Sequence, residues 1–178
     1  ENEVDILFEP SVEEIYENDE TIIKNINFKN ILCDKYRKGH FDGVITVLNK
    51  LFTIIKSNKV YFGEKDFQQL KIIEKFIEEK YKFLNLVSVP TKRNEEGIAY
   101  SSRNEKLSKK QIQDFISFHQ QTENFLNSLE KSLDIETANQ KAKDFIVKQD
   151  IEKLDYFEFR NNDDLSFNGT LLESRLFY

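Results

Sequence analysis

Between residues 59 and 89 the chain reads strand, helix, strand. An apolar run at 59–62 is followed by an amphipathic stretch at 66–80, with Leu70, Ile73 and Ile77 on one side, and then by a second apolar run at 84–89 that stops at Pro90. A helix between two strands carries the chain back to the end where it started, so the strands lie parallel with a right-handed crossover, and the fold class is α/β. Upstream, Val44, Val47, Leu48, Leu51, Phe52 and Ile55 recur at helical spacing through residues 41–56, and residues 4–8 and 21–26 read as short strands. Beyond Pro90 the alternation ends. Ser108 opens a helix with Ile112, Phe115, Phe118, Phe125, Leu126, Leu129 and Leu133 along one side, and Asp134 caps another carrying Ala138, Ala142, Phe145 and Ile146. Residues 154–159 and 170–178 then read as antiparallel strands around a polar turn at 161–164, so residues 1–90 and 91–178 are expected to form two domains, the second a small α+β unit.

The junction between the first buried-looking strand and its helix is YFGEKDFQQL, residues 61–70, which sets Gly63, Glu64, Lys65, Asp66, Gln68 and Gln69 at a helix start. Free amides and the positive dipole end there favour a phosphate or carboxylate. Taken alone, the tetrapeptide is also an ordinary polar turn in which Gly63 bends the chain, Asp66 caps the helix and Lys65 is solvated. A second cluster, Ser101-Ser102-Arg103-Asn104, follows the strand that ends at Pro90, and its hydroxyls and guanidinium suit phosphoryl oxygens. A third polar junction, from Arg37 through His40 to Val44, precedes the helix at 41–56. Ligands of open α/β sheets bind at such ends.

Composition narrows the partners. With 26 Lys and Arg against 32 Asp and Glu the net charge is -6, which argues against nucleic acid or a membrane surface and leaves local cations to bind any phosphate. A lone Cys33 without ligand spacing argues against a disulfide and structural zinc, and suits a reducing cytoplasm. No apolar run reaches a membrane span, and neither a GxxxxGK loop nor a G-x-S-x-G elbow is present. His119, among apolar helical neighbours, reads as structural or surface; the aromatics from Phe115 to Phe125 read as core, and the Glu and Lys run at 74–82 as a solvated helix face.

RKGHFDGV, YFGEKDFQQL, P-T-x-R and GIAYSSRN, in that order and spacing, resemble the pantothenate synthetase family. The likeness is strong from Asp5 to Leu107 and weak afterwards, where only Ser174-Arg175-Leu176 is similar to the family's closing segment. It implies a partial Rossmann-like parallel sheet of the HIGH-type nucleotidyltransferase superfamily, holding nucleotide and pantoate, followed by a lid-like C-terminal domain. It also implies an ATP-dependent ligase that joins pantoate to β-alanine through a pantoyl adenylate, releasing pantothenate, AMP and pyrophosphate. Magnesium would accompany ATP, with no metal held by the protein and no tightly bound cofactor, and the full-length enzyme would be a cytoplasmic homodimer.

By the same resemblance Lys65, Ser101, Ser102 and Arg103 are the catalytic phosphate-stabilising group. Gly63, Glu64, Asp66 and Lys92 join them around ATP, Gln69 and Val44 contact pantoate, and Arg37 and His40 lie near the nucleotide. Three departures stand out: Asp42, Lys38 and Cys33 occupy positions where the family has arginine, proline and glutamate. The family's opening segment with its PTMG and HxGH motifs has no counterpart in these 178 residues, so the chain is expected to be a fragment of a longer enzyme. A non-catalytic nucleotide- or pantoate-binding module is the alternative.

Overall fold

The computed structural model describes residues 3–16, 21–149, 151 and 153–178. Helices α1 (Val12–Ile15), α2 (Leu32–Tyr36) and α3 (His40–Ile55) precede β1 (Lys59–Gly63), α4 (Phe67–Lys80) and β2 (Asn85–Val89). Strands β1 and β2 are parallel, in register from Lys59 opposite Asn85 to Gly63 opposite Val89, so the strand, helix, strand reading holds. Inward positions of α3 and α4 build the first core, in which Phe41, Ile45, Phe52, Ile72, Ile73, Phe76, Ile77 and Leu84 are buried together. Tyr81 closes its end, its ring edge-on to Phe52 and Phe76 and its hydroxyl 2.8 Å from Asn49 Oδ1.

The fold departs from the sequence reading in the strands. β1 is not buried: its residues alternate between exposed and half-buried, with Val60 and Phe62 on the core and Tyr61 64% exposed. A parallel strand is enclosed when neighbours cover it on both sides, and among the described residues β1 pairs with β2 alone. Residues 4–8 form no strand, because among the described residues no ladder partner lies alongside them, and Ile6 and Leu7 are at least 80% exposed. Residues 21–26 form none either, since their amides bond to α3 side chains instead. The Ile23 N–H donates to Thr46 Oγ1 (2.9 Å), and the Asn25 N–H donates to Asp42 Oδ1 (2.8 Å).

In the second half the helix starts follow the sequence. Ser108 and Gln111 form a reciprocal capping box at α5 (Lys109–Asn127), and Asp134 accepts from the Thr137 N–H at α6 (Ile135–Ile146). Strand pairing is shorter than expected: β3 (Glu158–Asn161) runs antiparallel to β4 (Ser174–Phe177), while Leu171–Glu173 is a turn of 3-10 helix. Asn139 of α6 bonds both the N–H and the C=O of Phe159, so a side-chain amide stands in for a strand neighbour. Ile135, Ala138, Ala142 and Phe159 are the second core, against which Phe125 and Leu126 of α5 and Leu129 just after it pack. A third cluster of Leu32, Leu165 and Phe177, with Phe67 and Tyr156 against it, joins the C-terminal strand to α2 and the start of α4.

Candidate active site

Strand β1 ends at Gly63, Glu64–Asp66 makes one turn of 3-10 helix, and α4 begins at Phe67. Asp66 occupies the position before the helix, yet no side chain caps α4 there, contrary to the capping role read from the sequence. The first-turn amides of a 14-residue helix therefore lack intrahelical partners and leave a positive end beside Lys65.

A cavity of about 580 Å³ opens at this junction, and the three polar clusters meet in it. Its wall takes Glu64, Lys65, Asp66 and Gln69 from the β1–α4 junction, Ser101, Ser102 and Arg103 from the loop after β2, Arg37 from the turn before α3 and His40 from the first position of α3. Gly63, Lys92 and Val44 are placed off that wall: Val44 packs against the first core, and the Lys92 ammonium sits 6.0 Å from the centre of the Tyr100 ring.

Ser101 sits in a tight turn, its Oγ accepting from the Arg103 N–H (3.2 Å) and its carbonyl from the Asn104 N–H (3.0 Å). The hydroxyl proton is thus left to donate, and Asn104 Nδ2 anchors the turn by donating to Ala99 O (3.0 Å). Arg37 and His40 flank Gly39, whose φ of +77° admits the left-handed conformation of this turn.

The two adjacent glutamines of the junction do different work. Gln68 is 4% exposed: its Oε1 accepts from the Cys33 N–H (2.9 Å) and its Nε2 donates to Phe28 O (3.2 Å) and Ile31 O (3.0 Å), tying α4 to the segment before α2. Gln69 is half-buried on the cavity wall.

Several contributors come from far along the chain, and of these only Arg93 and Arg175 lie in stretches that carry the family resemblance. Arg175 of β4 lies 3.9 Å over the Phe67 ring and 3.4 Å from Glu64 Oε2, so the C-terminal strand touches the junction itself. Tyr156 reaches the wall too, its hydroxyl 2.9 Å from Cys33 Sγ; burial, then the bond to Cys33, pushes its phenol well above the ordinary range. Arg93, His119 and Tyr178 complete that side.

The charge reversal at Asp42 is turned away from the cavity. Its carboxylate meets Lys24 Nζ (3.0 Å) and the Asn25 N–H, and does not line the wall. Burial pushes this carboxyl up, but the Lys24 bond and the Asn25 amide together outweigh it and hold it below the ordinary value. A depressed folded value contributes stability that is present above the unfolded value of about 3.9 and is lost as pH falls through the folded one. Asp42→Asn should therefore lower the melting temperature at pH 7 and make no difference near pH 2; an equal loss at both pH values would show that charge is not what Asp42 contributes.

Parallel strands joined by a helix, with an uncapped helix start beside a second polar loop, define an α/β arrangement with a polar cavity at the strand ends. The fold is that of the HIGH-type nucleotidyltransferases, a partial Rossmann-like sheet followed by a small C-terminal strand region. The solved pantothenate synthetase of Thermus thermophilus superposes with a TM-score of 0.78 at 28% identity, over 92% of this chain and 60% of that one. A pantoate-beta-alanine ligase of Francisella tularensis, solved with beta-gamma ATP and beta-alanine, matches at TM-score 0.52 and 30% identity over 73% of this chain and 48% of that one.

The family model described as pantoate-beta-alanine ligase matches residues 1–176, and the chain belongs to that family. Pantothenate synthetase from Caldicellulosiruptor bescii is 37% identical over 162 residues, 90% of this chain and 57% of the relative. That from Bacillus pumilus is 49% identical over 112 residues, 62% of this chain and 39% of the relative. The chain thus spans between about two fifths and three fifths of the length of these relatives.

Proposed function

We propose that this chain is the part of an ATP-dependent pantoate-β-alanine ligase that holds ATP and pantoate. The observation that carries the reading is the meeting of Lys65, Gln69 and the turn at 101–103 in one cavity at the open end of α4. In the reaction, a pantoate carboxylate oxygen attacks the α-phosphorus of ATP and the bond to pyrophosphate breaks. The amine of β-alanine then attacks the acyl carbon of the pantoyl adenylate, the bond to AMP breaks, and the amine proton leaves with the formation of pantothenate.

Phosphoryl chemistry asks a protein for positioning and for cations aimed at growing charge. Lys65 and Arg103 supply the cations, Ser101 and Ser102 the hydroxyl donors, and the first amides of α4 a fixed dipole. The amide of Gln69 recognises pantoate, since one side chain offers both a donor and an acceptor to a hydroxyl and a carboxylate. Magnesium enters with the phosphates of ATP. The carboxylates of Glu64 and Asp66 on the cavity wall would be the protein groups nearest such an ion, which would offset phosphate charge. The separate cores on either side of Pro90 support the division into residues 1–90 and 91–178, with the C-terminal part as a lid. The Francisella relative bound to beta-gamma ATP and beta-alanine supports the small-molecule substrates. The homodimer and the cytoplasmic setting rest on the family resemblance, and no helix among the described residues is long and apolar enough to cross a membrane.

Titrating ATP and pantoate into the 178-residue chain, followed by pantoate-dependent exchange of labelled pyrophosphate into ATP, tests the reading. Binding of both ligands is the expected result. Exchange would assign the complete adenylation step to this chain, binding without exchange would assign it the substrate-holding part, and binding of neither would overturn the proposal.

A further inference from the structure

The turn that bears Ser101, Ser102 and Arg103 is reached through a tight excursion at residues 93–99, and this excursion rests on a histidine of α5. Arg93 and Ala99 bridge its arms, and Arg93 Nη1 donates to Gly97 O (2.9 Å). The Asn94 N–H donates to Ile98 O (2.9 Å), the Gly97 N–H to Asn94 O (3.0 Å) and the Ile98 N–H to Asn94 Oδ1 (2.8 Å), so the tip has one shape. Gly97 itself is left-handed, with φ +81°, and a Cβ there would lie 2.4 Å from His119 Nε2 and 2.9 Å from its Cδ2. The imidazole is therefore pressed against the backbone of the tip. On its other side Nδ1 is 3.3 Å from the Tyr178 hydroxyl, and the residue is 7% exposed. From the tip the connections run directly to the turn. Ile98 is buried, the Tyr100 N–H donates to Lys92 O (3.2 Å), and Asn104 holds Ala99.

We propose that His119 is a positioning residue that acts through Gly97 to set the height of the 101–103 turn over the cavity, with Tyr178 holding the ring in place. The proposal rests on the reading of that turn as a phosphate site. His119 joins α5, which reaches the cavity wall on its far side, to the loop that carries three of the proposed phosphate donors, and a shift of the loop by about 1 Å would misalign donors whose value lies in their placement. A histidine that merely fills the core would lower stability when replaced and leave the loop and ligand preference as they are.

The test pairs hydrogen exchange with binding in the 178-residue chain. His119→Ala is expected to speed amide exchange at residues 98–104 relative to α3 and α4, and to weaken ATP binding about tenfold while pantoate binding stays within about twofold. His119→Gln, whose amide keeps a polar group facing Tyr178, should restore most of both. Tyr178→Phe, which removes only a hydroxyl from a 41% exposed residue, should move both readouts in the same direction by less, and decides the matter if His119→Ala does not fold. Unchanged exchange at residues 98–104 in folded His119→Ala, or in Tyr178→Phe if that variant alone folds, overturns the proposal. A parent chain that fails to bind ATP defeats the phosphate reading instead, and the exchange comparison still decides whether His119 positions the loop.

Discussion

Lys65→Ala should weaken ATP binding at least about tenfold and lower any pyrophosphate exchange, in this chain or in a complete enzyme carrying the same change, by on the order of a hundredfold or more. Lys65 is exposed on a one-turn 3-10 segment, and its ammonium appears in none of the salt bridges resolved among the described residues. Its removal therefore leaves no buried partner unsatisfied, and the melting temperature should stay nearly constant. That separation distinguishes a phosphate-binding cation from a structural one. A variant with unchanged ATP affinity would sink the assignment of this junction, whereas a large drop in melting temperature would show that Lys65 supports the fold. If Gln69 holds pantoate as proposed, pantoate affinity should change less than ATP affinity.

Gln68→Leu should destabilise the chain by roughly 3 kcal/mol or more, read as a lower midpoint in urea at unchanged slope. The substitution strands the Cys33 N–H and the carbonyls of Phe28 and Ile31, each of which now meets the amide of the buried Gln68 in a part-buried setting. Gln69→Leu, one residue on and facing the cavity, should shift stability by no more than about 0.5 kcal/mol and weaken pantoate binding instead. Equal destabilisation by the two substitutions would refute the division of labour. Because Gln68 also fixes the segment leading to Cys33 and Arg37, its replacement should loosen that side of the cavity as well.

This pair shows where sequence reasoning stops. Successive residues of an α-helix are rotated by about 100° from one another, so two neighbouring glutamines face different surroundings. The composition of the segment does not say which one faces inward, and only the packing of α4 against the residues before α2 decides that Gln68 is the inner one. The longer helices were legible, because apolar spacing and capping residues are local signals: Ser108 and Asp134 cap the helices that their positions announced, whereas the short α1 and α2 carried too little periodicity to be read. The strands at residues 4–8 and 21–26 were not, because a strand exists only with a partner, and alternation or β-branching cannot show whether one is alongside. The same limit applied to β1, whose exposure depends on neighbours outside its own sequence.

The site divides along the same line. Lys65, Gln69, Ser101, Ser102 and Arg103 sit in short runs whose residue types suggest anion chemistry, and both runs follow strands, so their approach to a common end of a parallel pair could be read in advance. The charge reversal at Asp42 looked like part of the site, but Lys24 and Asn25 draw it away. Arg175, Tyr156, Tyr178 and His119 lie between about 50 and 110 residues from the junction in sequence and meet it through the third hydrophobic cluster and the C-terminal strand. The sequence by itself determined the longer helices, the parallel pair and the chemistry of the two polar runs, since these depend on periodicity and residue type within a few turns of chain. Tertiary structure alone decided which side chains face the cavity, which glutamine is structural and which residue the 93–99 excursion rests on, because those outcomes depend on contacts between segments far apart in sequence.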